Sequence, residues 1–299
     1  MGDRLTRKRL ALLEHLATYR ILTAEQAAVL QGSGMQAARK RLASLLDMGL
    51  VEAIPQGYGR LAGRPGRLYH LSRKGITNLR SHGFDPLQQR YDPQTAGGIS
   101  AVDHQLLLNW CLLHLLHLEQ THPPLAVSVT DSPSSLIRQD SSSSIASADA
   151  PDVTIPDAVF GITCQEQGKT LLFFLEVDMA TETVASPTRS RSDFRSKIVR
   201  YHRYLSSAGY KGYEPSLPHP LRGFRLLVVT PALRRLTSLC RLVGEMPPAD
   251  FIWLTDQPTL FRAGFSGPIW VPGGQQDAPA QSIVGPTLAC AAPLLPVKP

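Results

Sequence analysis

Cysteine is scarce in this 299-residue chain, and the few cysteines lie far apart in sequence. No two of them have the C-x-x-C spacing that is typical of zinc and redox motifs. We therefore expect reduced, buried thiols, and neither disulfide bonds nor a structural zinc. The four residues are Cys111, Cys164, Cys240 and Cys290.

Long hydrophobic runs are also lacking. The most apolar run, Leu106 to Leu118, contains Asn109, His114 and His117, and it is well short of the ~20 residues that cross a membrane. The first residues are charged and have no apolar segment of the kind found in secretion signals. We therefore predict a core helix at this run, a cytoplasmic location and no membrane partner.

Two kinds of catalytic motif are missing from the sequence. There is no G-x-x-x-x-G-K-[ST] loop, so ATP use is not indicated. There is no G-x-S-x-G motif and no evident Cys/His arrangement, so a serine or cysteine hydrolase is not indicated either.

Positive charge, by contrast, is concentrated at one end. The formal net charge is +7, and residues 1–90 hold 15 Lys and Arg against 6 Asp and Glu, a net charge of +9. Residues 91–299 hold 16 against 18, a net charge of −2. A basic module followed by a nearly neutral body suggests that the module has a polyanionic partner. The length allows two domains with hydrophobic cores.

The first 80 residues have the order of a winged helix. Thr23 and Gln26 have the spacing of a capping box that begins a helix. Gly32 and Gly34 allow a sharp turn after that helix. A basic helix from Gln36 to Met48 is predicted next, with Leu42, Leu45 and Leu46 facing inward.

Two strands, Leu50–Ile54 and Leu68–Leu71, are predicted after the basic helix, and the basic loop Gln56–Arg67 joins them. Winged helices of this order place one helix in the major groove of DNA and the loop against the backbone or the minor groove. We therefore predict double-stranded DNA as the partner; the alternative is a solvated helix face with a flexible loop. The predicted DNA contacts are Gln36, Arg39, Lys40, Arg41, Arg60, Arg64 and Arg67.

The predicted fold class is α+β, with an N-terminal winged helix-turn-helix followed by an α/β domain. We place the winged helix at 1–82, a linker at 83–100, the α/β domain at 101–271 and a disordered tail at 272–299. A serine-rich insertion interrupts the second domain at 131–150. The predicted order of the second domain is helix–strand–strand–strand–helix–strand–helix–strand. Within it, a hairpin that leads through a crossover helix to a buried strand is also the core order of the restriction-endonuclease-like fold.

Three carboxylates are predicted at the ends of a hairpin in the second domain. Asp157 begins one strand, and Glu176 and Asp178 end the other. Because side chains alternate along a strand, Glu176 and Asp178 share a face on which Asp157 can join them. Such an oxygen-rich site suits Mg²⁺ and phosphodiester hydrolysis. Alternatively, these carboxylates pair with nearby cations as structural groups.

The pattern Pro156-Asp157 … Glu176-Val177-Asp178 resembles the PD-(D/E)xK nuclease motif. Nucleases of that group usually carry a lysine where this chain has Asp178. Lys197 on the following predicted helix can supply a positive charge instead. Tyr201 and Tyr204 on the same helix are expected to approach the same acidic residues. The departure at Asp178 favours a structural or binding use of the site over catalysis.

A sequence of short motifs resembles the replication-relaxation family of bacterial plasmids and integrative elements. The motifs follow the winged helix Arg4–Ser81 in the order Val102–Gln105, Pro156–Ala158, Phe174–Asp178 with Thr181-Glu182, and Lys197 with Tyr201 and Tyr204. The resemblance implies a DNA-binding protein of a mobile element that acts in plasmid replication, DNA relaxation or transcriptional control. Many members carry an arginine soon after the Glu-Val-Asp strand, where this chain has Met179-Ala180.

Three functions are consistent with these observations. The preferred one is a binding protein whose nuclease-like domain is not catalytic. The second is a Mg²⁺-dependent nuclease that the winged helix targets to DNA, with Asp157, Glu176 and Asp178 as metal ligands and Lys197 as a further catalytic residue. The third is an adaptor that recruits a relaxase or a replication protein. A homodimer is expected of a winged helix that reads a palindrome.

Overall fold

The computed structural model describes residues 5–55, 67–84, 99–130, 155–180, 184 and 193–285. The chain forms two compact units, Met1–Leu113 and His114–Pro299. The division falls within a long helix, whereas we had placed the end of the winged helix at residue 82. Residues 85–98 of the predicted linker and the serine-rich insertion lie outside the described residues.

The first unit has the helix and strand order of a winged helix. Its antiparallel sheet has the strand order β1–β3–β2. The elements are α1 (Arg7–Tyr19), β1 (Ile21–Thr23), α2 (Ala24–Leu30), α3 (Met35–Asp47), β2 (Val51–Pro55), β3 (Arg67–Leu71), α4 (Arg73–Ser81) and the first part of α5 (Ile99–Thr121).

Side-chain caps begin three of these helices. Thr6 accepts a hydrogen bond from the amide of Arg9 at the start of α1. The predicted capping box of α2 is confirmed, because the Thr23 side chain binds the Gln26 amide and the Gln26 side chain binds the Thr23 amide. Ser72 caps α4 through the amide of Gly75. These caps satisfy amide groups that a helix cannot satisfy itself.

Leucines of α1 and α3 form the centre of the first core. Leu12, Leu13 and Leu16 of α1 are fully buried against Leu42 and Leu45 of α3. Leu46, which we also predicted to face inward, is only partly buried at the margin of this core. The register of α3 therefore follows the predicted apolar stripe.

Two buried amides connect α5 to the rest of the first unit. Asn109 Nδ2 donates to the carbonyl oxygens of Tyr19, at 3.1 Å, and Ile21, at 2.7 Å. Gln26 Nε2 donates to the carbonyl oxygen of Leu106 at 3.0 Å. Leu106 also packs against Ile21 and Leu68. The beginning of α5 is thus part of the winged-helix unit, where Asn109 satisfies a carbonyl at the end of α1.

The second unit is built on a mixed six-stranded sheet with the order β4–β5–β6–β7–β8–β9. Strands β6, β7 and β8 are parallel to one another, whereas β4–β5, β5–β6 and β8–β9 are antiparallel pairs. The elements are β4 (Leu125–Thr130), β5 (Ala158–Cys164), β6 (Lys169–Val177), α6 (Phe194–Ser206), a 3₁₀ helix (Gly209–Ser216), β7 (Phe224–Thr230), α7 (Leu233–Gly244), β8 (Ile252–Asp256), α8 (Gln257–Ala263) and β9 (Val271–Pro272).

Helices α6 and α7 cover one face of this sheet. Phe194, Ile198 and Tyr201 of α6 are fully buried there, together with Phe174 and Phe224 of the sheet. The two phenylalanine rings meet edge to face with centroids 4.6 Å apart. This apolar layer ends at the carboxyl end of β6, where the acidic residues begin.

The end of the second unit extends past residue 271, where we had placed the start of a disordered tail. Trp270 pairs with Gln281, and Ile283 is buried. Residues 286–299 of the predicted tail lie outside the described residues. The N-cap of α7 is Ala232, which makes no side-chain hydrogen bond to the helix. The Thr230 hydroxyl donates to the carbonyl oxygens of Ala232 and Thr255.

In the described part of the chain, no helix combines the length and the apolar character needed to cross a membrane.

Candidate functional site

The outer face of α3 carries most of the DNA-binding residues that we predicted within this helix. Gln36, Arg39 and Lys40 are exposed, while Leu42 and Leu45 on the other side of the same helix are fully buried. The amphipathic spacing therefore fixes the direction of these polar groups. Two cations and an amide are presented to solvent in the first half of the helix.

Arg41 differs from its neighbours on α3. Its Nη1 donates to the Gln31 side chain at 2.7 Å and to the Ser33 hydroxyl at 3.0 Å. This guanidinium therefore stabilises the turn between α2 and α3, a role that the sequence did not suggest. The predicted contact of Arg41 with DNA would have to use guanidinium N–H groups that do not take part in these two bonds.

The other predicted contacts lie between β2 and β3 and at the first residue of β3. Arg67 is exposed at the beginning of β3, where it pairs with Pro55 across the sheet. Arg60 and Arg64 lie outside the described residues. The predicted contribution of this loop to DNA binding therefore stays a prediction.

In the second unit, the carboxyl end of β6 and the residues before β5 meet at one edge of the sheet. Ala158 pairs with Leu175 in the antiparallel register, which places Asp157 opposite Glu176. The Asp157 amide donates to the Leu175 carbonyl at 3.0 Å, and Asp157 Oδ2 accepts from the Val177 amide at 2.7 Å. Asp157 and Glu176 therefore meet across the hairpin as predicted.

Helix α6 supplies hydrogen-bond donors for both oxygens of Glu176. Lys197 Nζ donates to Oε2 at 3.0 Å, and the Tyr201 hydroxyl donates to Oε1 at 2.6 Å. Lys197 and Tyr201 are four residues apart, so they project from the same side of α6. The predicted approach of Lys197 to the acidic residues is thus seen in the structure. Tyr204 instead packs its ring against Phe174 and Phe224.

Burial controls the protonation of this cluster. The Glu176 side chain is 4% exposed, and burial raises its pKa from 4.5 to about 7. The negative charge of Asp157 acts in the same direction, while Lys197 and Tyr201 oppose it. Burial, reinforced by Glu176, also raises the pKa of Tyr201 well above its ordinary value. Tyr201 is therefore a hydrogen-bond donor at any physiological pH.

Asp178 is bound by an arginine from a different helix. Arg235 Nε donates to Oδ2 at 2.6 Å, and Arg235 Nη2 donates to Oδ1 at 2.9 Å. The two side chains are 12% and 4% exposed, respectively. Such a two-point ion pair fixes the carboxylate geometrically. This ion pair is the structural role that we weighed against metal binding, but its cation, Arg235, was not predicted.

These contacts do not fit the magnesium site that we predicted at Asp157, Glu176 and Asp178. Among the described residues, no group of three or more acidic, histidine or cysteine side chains is arranged to hold a metal ion. Both oxygens of Glu176 and both oxygens of Asp178 already accept hydrogen bonds from cationic or phenolic donors. A Mg²⁺ ion needs several oxygen ligands that are free to turn toward it.

The sequence did not predict Arg235, because this residue is distant from Asp178 in sequence and no motif in α7 marks it. One signal was available, since Asp178 follows β6 and α7 follows the neighbouring parallel strand β7. Carboxyl ends of adjacent parallel strands lie at the same edge of a sheet, so a basic residue at the start of α7 is a natural partner for an acid that ends β6.

These features define a winged helix followed by a mixed α/β unit with a buried acidic edge. Residues 13–216, more than half of the chain, match the family model for replication-relaxation. The chain therefore belongs to the replication-relaxation family, as the order of its motifs predicted.

Two solved structures are similar to part of the chain. A MarR family transcriptional regulator from Silicibacter pomeroyi is 25% identical with a TM-score of 0.25; the match covers 40% of this chain and 74% of that one. A zinc-responsive MarR family member from Lactococcus lactis is 19% identical with a TM-score of 0.24; the match covers 40% of this chain and 79% of that one. No curated protein matches the chain.

Proposed function

We propose that this protein binds double-stranded DNA through α3 of its winged helix and acts in the replication, relaxation or transcriptional control of a mobile element such as a plasmid. One observation carries the proposal: α3 buries its leucines and presents Gln36, Arg39 and Lys40 to solvent. Arginine and lysine neutralise phosphates, and arginine and glutamine also recognise base edges in the major groove. The cytoplasm is the expected location for such a function.

The experiment measures duplex binding by fluorescence anisotropy over a range of salt concentrations. The test variant is Arg39→Ala/Lys40→Ala in the full chain. It leaves Arg41 in place, because that side chain also holds the α2–α3 turn. The control variant, Lys211→Ala/Arg234→Ala, removes two exposed cations from the second unit.

If Arg39 and Lys40 each contact a phosphate, the log–log salt slope changes by about 0.9 for each lost contact, or about two in all. The control variant is expected to keep the slope and the affinity of the parent protein. Equal binding by the test variant and the parent protein would move the DNA surface away from α3.

We further propose that the second unit is nuclease-like in architecture but does not catalyse hydrolysis. The meander β4–β5–β6, the crossover helix α6 and the parallel strand β7 support the likeness. The ion pair between Asp178 and Arg235 supports a structural use of the acidic edge. In this proposal the unit serves as a dimer interface or as a docking domain for a relaxase or a replication protein.

Metal-dependent DNA nicking is the second candidate function, because Lys197 does reach Glu176 from α6. The test incubates supercoiled plasmid with the protein and Mg²⁺ or Mn²⁺. We expect no nicking above that of an Asp157→Ala/Glu176→Ala variant. Robust nicking that this double substitution abolishes would establish the enzyme instead.

A further inference from the structure

A cavity of about 590 Å³ lies in the second unit at the amino ends of β6 and β7. This position is at the opposite end of β6 from Glu176. The turn before β6, the first residues of that strand and the segment from His219 to Arg225 form its walls. His219 lies close to this turn: a Cβ atom added to Gly168 would be 3.8 Å from Cε1 of the His219 ring. Pockets that hold small ligands have volumes of this size.

The cavity walls are strongly basic. Lys169, Arg222 and Arg225 contribute three permanent charges, and His219 adds an imidazole. Among the residues that the structure describes, none of those lining the cavity is acidic. Lys169 and Arg222 are exposed, so their charged groups can turn toward a ligand. One wall is apolar, because Leu171 is 42% exposed there.

Arg225 is the most informative residue of the cavity. Its guanidinium carbon lies over the ring of Trp253, 4.2 Å from the ring centroid. Burial lowers its pKa from the ordinary value, and no carboxylate among the described residues pairs with it. Partial desolvation of a cation has a cost in free energy, and a bound anion would relieve that cost.

We infer that this cavity binds a phosphate group that is attached to a larger molecule. The planar guanidinium of Arg225 offers two parallel donors to phosphate oxygens, and Lys169 and Arg222 add charge on either side. The volume exceeds that of a phosphate, and Leu171 gives an apolar surface for the attached sugar or base. The phosphate can come from a free nucleotide or from the backbone of a single nucleic-acid strand. All of the residues that form this site belong to the second unit.

The test separates these two sources in the full-length protein. All measurements use the Arg39→Ala/Lys40→Ala background, which removes the proposed contribution of α3. The probes are adenosine 5′-monophosphate, adenosine as the phosphate-free control, and a single-stranded oligothymidylate of about 12 nucleotides. Calorimetry measures the first two, and fluorescence anisotropy measures the third.

The cavity variant is Lys169→Ala/Arg222→Ala, and the matched control is Lys211→Ala/Arg234→Ala, which removes two exposed cations elsewhere in the same unit. We expect the cavity variant to weaken binding of the phosphate-bearing probe by about tenfold or more. The control variant should bind the phosphate-bearing probes as tightly as the background protein does. Any binding of adenosine should be the same in the cavity variant and in the background protein. For the single strand, the log–log salt slope should also fall by about 0.7 for each phosphate contact removed.

Binding of the mononucleotide alone would identify a free nucleotide as the source, and binding of the single strand alone would identify the backbone. The inference is wrong if neither phosphate-bearing probe binds, or if the cavity and control variants bind equally. Arg225→Gln extends the test, with a thermal melt to show that the stack on Trp253 is not needed for folding. If that variant unfolds, the two exposed substitutions still decide the outcome.

Discussion

The two units use charged residues in opposite ways. In the first unit, Arg39 and Lys40 stay in solvent on a helix whose other face is packed with leucines. In the second unit, Glu176 and Asp178 are buried, and cations from α6 and α7 reach in to meet them. Exposed charges are available to a partner at little structural cost, whereas buried charges must be matched within the fold. The comparison suggests recognition by the first unit and internal electrostatic structure in the second.

The largest expected effect comes from breaking a buried pair in the second unit. Arg235→Ala leaves the carboxylate of Asp178 buried without its cation, which should lower the free energy of unfolding by about 3–5 kcal/mol. Urea unfolding would measure the change. Arg234→Ala, which removes an exposed neighbour, is the control and should change stability little. Adding Asp178→Asn to Arg235→Ala should restore part of the loss, and no restoration would argue against the pair.

A second prediction addresses the apolar side of α3. Leu45→Ala should lower the stability of the first unit by about 2–5 kcal/mol, because this side chain is fully buried. Leu46→Ala, next to it but only partly buried, should cost less. Thermal melts of both variants provide the comparison. Equal losses would mean that the register of α3, and with it the outward direction of Lys40, is not as described.

The third prediction concerns the pH dependence of the second unit. The pKa of Glu176 is higher in the folded protein than its ordinary value, so its contribution to stability is fully present below about pH 4.5 and is lost as the pH rises through about 7. The loss is about 3 kcal/mol for a shift of this size. Urea unfolding from acidic to mildly alkaline pH should show it, and Glu176→Gln should remove it.

Glu166→Gln is the control for this pH series, since Glu166 is exposed. It should keep the pH dependence of the parent protein. If the parent protein and Glu176→Gln lose stability in parallel as the pH rises, another group is responsible.

The smallest effect is expected at a helix cap of the first unit. Thr23→Ala removes the hydroxyl that accepts from the Gln26 amide, and such caps contribute about 1 kcal/mol. Chemical unfolding would detect the loss. Thr18→Ala on the exposed part of α1 is a matched substitution outside a cap, and a cost as large as that of Thr23→Ala would remove the cap as the explanation.

Local sequence signals predicted most of the elements. The box at Thr23 and Gln26 and the apolar stripe of α3 through Leu42 and Leu45 act over a few residues, and both are confirmed. The edge shared by Asp157 and Glu176 also followed from the alternation of side chains along a hairpin. What these signals share is that sequence neighbours are also spatial neighbours.

The features that local sequence signals did not predict depend on packing between distant parts of the chain. Strand β1 has only three residues, and it exists because it pairs with β3, which lies far along the chain. The segment after residue 272 has a loop-like composition, yet it is ordered around Trp270 and Ile283. Arg235 reaches Asp178 only because β6 and β7 are adjacent in the sheet. None of these partners is marked by a local pattern.

The amides of Asn109 and Gln26 have a practical consequence for dissecting the protein. An expressed fragment that ends near residue 82 would lack Asn109 and Leu106, leaving the carbonyls of Tyr19 and Ile21 without their donor. It would also uncover Ile21 and Leu68, which pack against Leu106. A truncation intended to isolate the winged helix should therefore retain α5 at least as far as Leu113. A shorter piece that precipitates would say nothing about DNA recognition.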